Sequence, residues 1–254
     1  MESDIAIIDL DSIMFTIAHP NKVLDEDRVP VKKDGKFVYI DKTIDEMYTC
    51  ADQIMSSILK LSKAKGYIAY IKGKGNFRYL TNLDYKANRP TESPHWWKPV
   101  KQYLINNWFA VEVNDIEVDD AVNITRLNIQ NSFICAIDKD LLFLEGKHYN
   151  WRKNEWVKIS KEEAYYKFWS DMIIGQTGDN VKGIPGKGPV AAKEIMADSK
   201  CPPARIIKNY IQHFGEYEGI KQFYKNYISL KILESYDGFV IPEISKVNSA
   251  EELF

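Results

Sequence analysis

Short apolar runs that end in carboxylates constrain the fold of this chain more than any other feature of its sequence. Two such runs cover residues 5–10 and 133–137, and their acids are Asp9, Asp11, Asp138 and Asp140. Almost continuous apolar runs of this length are typical of buried strands in a parallel sheet. Ligands bind beyond the carboxyl ends of the strands in such sheets, so we expect these acids to share one edge.

Helical patterns separate the predicted strands. The predicted segments, in chain order, are strand 5–10, helix 44–62, strand 67–71, strand 109–113, helix 117–129, strand 133–137, a hairpin over 147–160 and a helix opened by Ser160 and Glu163. This alternation predicts an α/β fold with a mainly parallel, twisted sheet flanked by helices. We assign residues 1–174 to a catalytic domain and residues 175–254 to a helical module with a C-terminal tail.

Charge is divided unevenly along a chain whose net charge is only −2. Residues 63–101 hold nine Lys or Arg against two acids, and residues 115–140 hold six acids against two basic residues. A basic segment beside an acidic one is expected of a protein that holds phosphates in one place and metal ions in another.

The sequence also bears on location. Cys50, Cys135 and Cys201 are far apart, which favours a reduced cytoplasmic protein over a disulfide scaffold or a zinc site. No stretch approaches the ~20 apolar residues of a membrane span, and the apolar run near the N-terminus is too short for a secretory signal. We therefore expect a cytoplasmic protein without a membrane partner.

Carboxylates are the first motif that carries chemistry. They are Asp9, Glu117, Asp119, Asp120, Asp138, Asp140 and Asp179. Hard divalent cations such as Mg²⁺ prefer oxygen ligands, and they relieve the repulsion between converging carboxylates. Any single acid at a strand end or in a first helical turn is more often a cap, but this many at one edge favours a metal site.

A glycine-rich segment over residues 175–192 is the second motif. Closely spaced glycines that open a helix let backbone amides approach a phosphate, and Lys182 and Lys187 add positive charge. A flexible loop between two helices is the plainer interpretation, which the long ordered pattern disfavours.

Cations interleaved with aromatic residues form the third motif. Phe77-Arg78 is followed by the run 85–90 and then by Trp96-Trp97. Such a pattern suits single-stranded nucleic acid, whose bases stack on rings and whose phosphates meet Lys or Arg. The two tryptophans fit a core role equally well.

These motifs resemble those of the 5′-3′ exonuclease and flap endonuclease family, which includes bacteriophage enzymes and the N-terminal domain of bacterial DNA polymerase I. The resemblance covers residues 5–192 through IIDLDS, FR…YKANRP, IEVDDAV, AIDKD and GDNVKGIPGKGPVAA. It implies a PIN-like sheet, a helical arch at about residues 75–100, and a C-terminal helix–three-turn–helix DNA-binding module.

The resemblance also implies a function in DNA replication or repair. It implies hydrolysis of DNA phosphodiesters by two Mg²⁺ ions, for which Mn²⁺ substitutes, and a K⁺-assisted grip on duplex DNA by the glycine-rich loop. The substrate would be DNA with a 5′ flap or a 5′ single-stranded end, with an RNA primer as a further substrate. We expect a monomeric, stand-alone enzyme of the phage type, acting in the host cytoplasm.

Site residues follow from the same motifs. Implied around one ion are Asp9, Glu117, Asp119, Asp120 and Asp138, and around the second Asp140 and Asp179. The implied catalytic residues are Asp9, Lys86, Arg89, Asp120 and Asp138, with Lys86 and Arg89 stabilising charge on the scissile phosphate. The implied DNA-binding residues are Arg78, Tyr85 as a stacking ring, Lys86, Arg89, Lys182, Gly183, Gly186, Lys187 and Gly188.

Two positions depart from the family pattern. Ile71 and Gln176 stand where the family has acids, and Asp11 partly compensates for Ile71 in our interpretation. These departures motivate an alternative, a catalytically weakened relative that binds flaps or single strands. A single-strand-cutting ribonuclease of the PIN type is a third interpretation, which the glycine-rich duplex grip disfavours.

Overall fold

The computed structural model describes residues 4–89, 93–197 and 202–247. Expectations that fall on Pro90 of the arch motif, on Cys201 and on the last residues of the tail lie outside these ranges.

Most strands are short. In chain order they are β1 (Ile5–Asp9), β2 (Asn21–Lys22), β3 (Lys32–Lys33), β4 (Lys36–Phe37), β5 (Tyr39–Ile40), β6 (Gly66–Lys72), β7 (Val111–Val113), β8 (Ser132–Cys135), β9 (Gly146–Asn150), β10 (Glu155–Ile159), β11 (Gly175–Gln176), β12 (Val181–Lys182) and β13 (Ser245–Lys246).

Helices separate the strands of the first half and dominate the last third. In chain order they are α1 (Leu10–Ile17), α2 (Ile44–Ser62), α3 (Arg78–Thr81), α4 (Trp97–Trp108), α5 (Val118–Asn128), α6 (Lys161–Ile174), α7 (Pro189–Ala197), α8 (Pro202–Phe214) and α9 (Glu216–Leu230). Single 3-10 turns occupy Leu141–Phe143 and Thr177–Asp179.

One seven-stranded sheet combines strands of the N-terminal two thirds with β13, in the order β10-β9-β8-β1-β6-β13, with β7 also paired to β6. The pairs of β1 with β6 and β8, of β6 with β7, and of β8 with β9 are parallel. The strand β10 pairs antiparallel with β9, and β13 pairs antiparallel with β6. The expected mainly parallel sheet flanked by helices is confirmed, and the carboxyl ends of β1, β6 and β8 share one edge.

Alternation along the central strands builds two apolar layers. Ile8 of β1 and Ile71 of β6 face a layer that packs on α1, α2 and α4, whereas Ile7 and Tyr70 face a layer that packs on α5. Each such buried aliphatic side chain contributes about 1.5–3 kcal/mol. A third apolar cluster joins α6, α7, α8 and α9.

The start of the chain differs from the prediction of one strand over residues 5–10. β1 ends at Asp9, whose carboxylate accepts a hydrogen bond from the Asp11 N–H at 2.9 Å and so begins α1. A short polar side chain in this capping position satisfies an amide that the first helical turn leaves free. The helix therefore turns Asp11 to the same edge as Asp9.

The end of the chain is mainly irregular after α9, although β13 adds a strand to the sheet beside β6. Within the described ranges, no helix combines the length and the apolar character that crossing a membrane requires. The division at residue 174 stays a prediction.

Candidate active site

Three carboxylates meet at the carboxyl edge of the sheet: Asp9 at the end of β1, Asp119 in the first turn of α5, and Asp138 after β8. Burial raises the pKa of Asp9 to about 7, with repulsion from Asp11 and Asp138 as further causes. Burial together with Asp9 and Asp138 raises the pKa of Asp119 well above its ordinary value. The structure thus brings these three acids together from distant stretches of the chain, and their role as metal ligands stays a prediction.

This donor set fits a hard divalent cation. Buried carboxylates of like charge raise one another's pKa, and an ion with oxygen ligands relieves that repulsion. Among the described residues, no group of three or more acidic, histidine or cysteine side chains has the spacing of a formed metal site.

Lys86 lies between the two predicted acid groups. Its ammonium forms an ion pair with Glu117 and lies 3.7 Å from Asp179. Burial alone would lower the pKa of Lys86, but Glu117 and Asp179 outweigh it and raise the pKa. Burial likewise opposes ionisation of Glu117, yet Lys86 and Arg78 lower its pKa overall. Both side chains are thus held in their charged forms.

The loop that carries Lys86 is fastened to the glycine-rich segment. Arg89 Nη2 donates to Asp179 Oδ1 at 2.7 Å, and Asn88 Nδ2 donates to the Thr177 carbonyl at 3.1 Å. Asn180 Nδ2 donates in return to the Asp84 carbonyl at 2.8 Å. These bonds bring Asp179 to the sheet edge from a segment some ninety residues further along the chain.

Asp140 accepts a hydrogen bond from Gln176, which stands where the family pattern has an acid. Gln176 Nε2 donates to Asp140 Oδ1 at 2.6 Å, and the Asp140 amide donates to Asp138 at 2.8 Å. Burial, with repulsion from Asp138 and Asp179, raises the pKa of Asp140 to about 6. Asp140 and Asp179 are thus near each other, as the resemblance implies.

Asp120 does not point into this site, which corrects its assignment as a metal ligand and catalytic residue. It is fully buried and accepts two bonds from the Arg78 guanidinium, at 2.6 and 2.8 Å. It also accepts from the amides of Glu117 and Leu233. Asp119 and Asp120 lie about 100° apart around α5, so only one of them can face the edge.

Arg78 and Tyr85 are not free to bind DNA, which corrects both assignments. Arg78 is 1% exposed, and its guanidinium is held by Asp120 and by the carbonyls of Ser229 and Lys231. Tyr85 is 2% exposed and donates its hydroxyl to Glu117 at 2.9 Å. Burial and the neighbouring carboxylates raise the pKa of Tyr85, so it remains a hydrogen-bond donor. A buried ring cannot stack on a base.

The glycine-rich loop joins α6 to α7 and leaves its cations in solvent. Lys182 and Lys187 are exposed, and Gly186 has a φ of +75° with open space around it. Gly183 has another reason to be glycine, because an added Cβ would lie 2.2 Å from the Ile173 carbonyl oxygen. Phosphate binding by this loop, including Gly188, stays a prediction.

An aromatic group formed by α1 and the start of α4 involves a residue that the sequence analysis missed. Phe15 of α1 is 60% exposed, and its ring lies 5.9 Å from Trp96 and 5.6 Å from Trp97. The two tryptophans also pack against the core, so they combine both interpretations. Phe15 follows Asp11 by one helical turn, a spacing that becomes visible once residues 10–17 are recognised as a helix.

Comparisons with known proteins found similarity to 5′ nucleases. No family model matches the chain. A curated "5′-3′ exonuclease" of Mycoplasmopsis pulmonis (strain UAB CTIP) is 26% identical over 171 residues, which cover 61% of this chain and 58% of that protein. The match thus spans less than two thirds of that relative.

Solved structures share the fold over almost the whole chain. The T5 protein co-crystallised with metal ions has a TM-score of 0.64 at 15% identity, over 89% of each chain. The T5 flap endonuclease in a complex with DNA and metal ions has a TM-score of 0.58 at 15% identity, over 91% of this chain and 89% of that one. The catalytic core of Rad2 with a DNA substrate has a TM-score of 0.50 at 12% identity, over 88% and 73%. At such identities the likeness shows a common fold. Motifs and fold together confirm the resemblance of this chain to the 5′-3′ exonuclease and flap endonuclease family.

Proposed function

We propose that this protein is a structure-specific 5′ nuclease that hydrolyses DNA phosphodiesters at a 5′ flap or 5′ single-stranded end. One observation carries the proposal: Asp9, Asp119 and Asp138 are brought together at the carboxyl edge of the sheet, beside the ammonium of Lys86. The similarity to a 5′-3′ exonuclease and to structures that hold metal ions and DNA supports it. Replication or repair is the setting that this activity serves.

Divalent ions, Mg²⁺ in our proposal with Mn²⁺ as a substitute, activate water and stabilise the displacement at phosphorus when bound. Asp9, Asp119 and Asp138 would hold the first ion, and Asp140 with Asp179 the second. Lys86 and Arg89 keep positive charge where the scissile phosphate would lie, and each can exchange its carboxylate partner for that phosphate.

The α6–α7 loop is proposed to grip the duplex. Lys182 and Lys187 are exposed there, and Gly186 and Gly188 leave the backbone open to a phosphate. Cations and free amides at the start of a helix attract phosphate groups, and a K⁺ ion would strengthen the contact. Residues 175–254 form the DNA-binding module in this proposal, and the protein acts as a cytoplasmic monomer.

A cleavage assay tests the proposal. Full-length protein is incubated with labelled 5′-flap, nicked and blunt duplex DNA over a series of Mg²⁺ and Mn²⁺ concentrations. We expect flap cleavage that depends on the divalent ion and leaves a 5′-phosphate. Binding of flap DNA with no product at any concentration would overturn the nuclease assignment.

A flap-binding protein with weakened catalysis is the second candidate. It is favoured by the amide of Gln176 on Asp140 and by Ile71, which is buried in the core and offers no carboxylate. The same cleavage assay separates the two candidates according to whether cleaved DNA is formed. An RNA flap in parallel tests action on RNA primers, and preferential cleavage of RNA would favour the PIN-type ribonuclease.

A further inference from the structure

The Lys86 loop, which we define as residues 84–89, is held to the α6–α7 loop at alternate residues. Three hydrogen bonds make this junction: Asn180 Nδ2 donates to the Asp84 carbonyl at 2.8 Å, the Lys86 N–H donates to the Asp179 carbonyl at 3.0 Å, and Asn88 Nδ2 donates to the Thr177 carbonyl at 3.1 Å. The two outer bonds come from side-chain amides, one on each loop, so each loop holds the other. We name Asn88 and Asn180 the asparagine clasp.

Lys86 depends on such support because its backbone lies in the left-handed region, at a φ of +54°. A residue with a side chain rarely adopts this conformation, which persists where the surrounding structure imposes it. The clasp bonds lie two residues before and two residues after Lys86. The Asp84 carbonyl that Asn180 binds also accepts the Ala87 N–H at 3.1 Å, so the turn around Lys86 is closed from both sides.

This backbone conformation directs the Lys86 ammonium towards two carboxylates. The ammonium forms an ion pair with Glu117 and lies 3.7 Å from Asp179. Relaxation of the turn to an ordinary backbone conformation would point the side chain elsewhere, because a change of φ rotates the Cβ of Lys86. A misplacement of about 1 Å at a reacting group is enough to lower turnover about a hundredfold.

We propose that Asn88 and Asn180 are positioning residues, which hold Lys86 in its left-handed conformation so that its ammonium faces the scissile phosphate. The inference rests on the proposed function for the role of Lys86. It goes beyond that function by assigning a role to the clasp, whose amides act through Lys86 rather than on the substrate. Both asparagines lie within the motifs YKANRP and GDNVKGIPGKGPVAA, where they had no assigned role.

Single substitutions remove the clasp and keep the backbone. Asn180 has a φ of +54°, which glycine adopts freely, so Asn180→Gly removes the amide without straining the chain. Asn88→Ala removes the other amide from an exposed side chain. Asn131→Gly is the matched control, because Asn131 is exposed, has a φ of +55°, and its side-chain amide bonds no other described residue. If one clasp variant fails to fold, the other still decides.

Steady-state cleavage of 5′-flap DNA tests the positioning role. We expect each clasp variant to lower kcat about tenfold or more, with duplex affinity in the absence of divalent ions changed less than about twofold. In a Lys86→Ala background the same substitutions should change kcat by less than about twofold, because the residue through which they act is gone. Asn131→Gly should match wild type. Unchanged kcat in either clasp variant, or equal losses with and without Lys86, would overturn the proposal.

Amide hydrogen exchange separates this inference from the proposed function. Exchange in peptides that cover residues 84–89 is followed by mass spectrometry on the full-length, DNA-free protein. It should be at least about tenfold faster in the clasp variants than in wild type or Asn131→Gly. Faster exchange in a protein that never cleaves DNA would keep the clasp as the support of Lys86 and remove the nuclease. Cleavage that the clasp variants leave unchanged would keep the nuclease and remove the clasp.

Discussion

Arg78 and Asp120 form a buried ion pair that serves the architecture rather than the chemistry. The guanidinium joins α5 to the last turn of α9 and the chain after it through the carbonyls of Ser229 and Lys231, and Asp120 accepts a hydrogen bond from the Leu233 amide. A paired, hydrogen-bonded charge is tolerable in the interior, but an unpaired one is costly. The pair therefore ties the helix that packs on the central sheet to the C-terminal segment.

Removal of one partner of the Arg78–Asp120 pair should strongly destabilise the fold. We predict that Arg78→Met lowers the free energy of unfolding by about 3–5 kcal/mol, because it leaves the Asp120 carboxylate buried and unpaired. Urea denaturation followed by circular dichroism measures the loss. Lys221→Met, at an exposed helical pair with Glu218, is the control and should change stability by less than about 0.5 kcal/mol. Equal stabilities of the two variants would contradict the role of Arg78.

In the proposed function, Asp138 takes part in the chemistry. We predict that Asp138→Asn lowers kcat by at least about a hundredfold. Mutation of residues that only support the ligands of a metal site already lowers metal affinity or activity about 10–100-fold, and Asp138 would lie nearer the ion. The substitution retains an acceptor for the Asp140 amide, so local structure is kept. Cleavage is measured with flap DNA, and binding by fluorescence anisotropy without divalent ions. Unchanged turnover would remove Asp138 from the site.

At the scale of elements, the sequence predicted the strands and helices whose signals are local. α2 begins and ends where its capping box and apolar spacing place it, and α6 opens with the predicted Ser160 cap. α1 was missed because its first residue continues the apolar run of β1. Its start is set by the Asp9 carboxylate, a single hydrogen bond that composition does not show.

Site assignments that depended on orientation or on distant partners were less predictable. The acids of α5 share a first turn, but helical geometry sends Asp119 to the edge and Asp120 into the interior. The partners of Arg78 lie 42 and more than 150 residues away in the sequence, so no spacing rule connects them. Restoring an acid as Ile71→Asp, which the pattern alone suggests, would bury a charge in the apolar layer.

The loop that carries Lys86 is the element closest to the reacting phosphate in our proposal. We predict that Lys86→Ala lowers kcat by about a hundredfold or more, the usual effect of removing one donor to developing charge. Duplex affinity should change far less, because the exposed lysines of the α6–α7 loop remain. Lys153→Ala, in the β9–β10 turn, controls for loss of one positive charge. Parallel losses of turnover and duplex affinity would contradict a catalytic role.

The α6–α7 junction depends on one close backbone approach. We predict that Gly183→Ala lowers the free energy of unfolding by about 1–3 kcal/mol, because its Cβ would overlap the Ile173 carbonyl and the Ile174 backbone. Gly188→Ala is a matched control, since its Cβ would meet nothing within 4 Å. Chemical denaturation measures both variants. A stable Gly183→Ala protein would show that the junction relaxes easily.

For the molecule as a whole, the carboxylates at the edge of the sheet destabilise the fold unless their negative charge is compensated. Lys86 and Arg89 neutralise part of it, but Asp9, Asp119 and Asp140 keep raised pKa values. Native proteins tolerate such local destabilisation where function needs it. The sheet, its covering helices and the Arg78–Asp120 tie supply the stability that holds these acids together.

This balance makes stability depend on pH in a definite direction. The pKa is about 7 for Asp9 and about 6 for Asp140 in the folded protein, against an ordinary value of 3.8. Between these values the folded state holds protons that the unfolded state has lost, so the free energy of unfolding falls as pH rises. His148, whose pKa burial lowers, acts in the opposite sense but is a single group. We predict that the metal-free protein melts at a lower temperature at pH ~8 than at pH ~5.

Divalent cations should remove much of this dependence, because bound carboxylates no longer take up protons. Thermal melts with chelator and with millimolar Mg²⁺ or Mn²⁺ give the comparison, and the ions should raise the melting temperature most at high pH. Asp9→Asn removes a carboxyl group whose pKa is raised to about 7, so the variant should melt higher than wild type at pH ~8 without metal and gain less from the ions. If the metal-free protein instead grew more stable from pH ~5 to ~8, these acids would not be crowded at one edge, and their proposed role in holding ions against a phosphate would be lost.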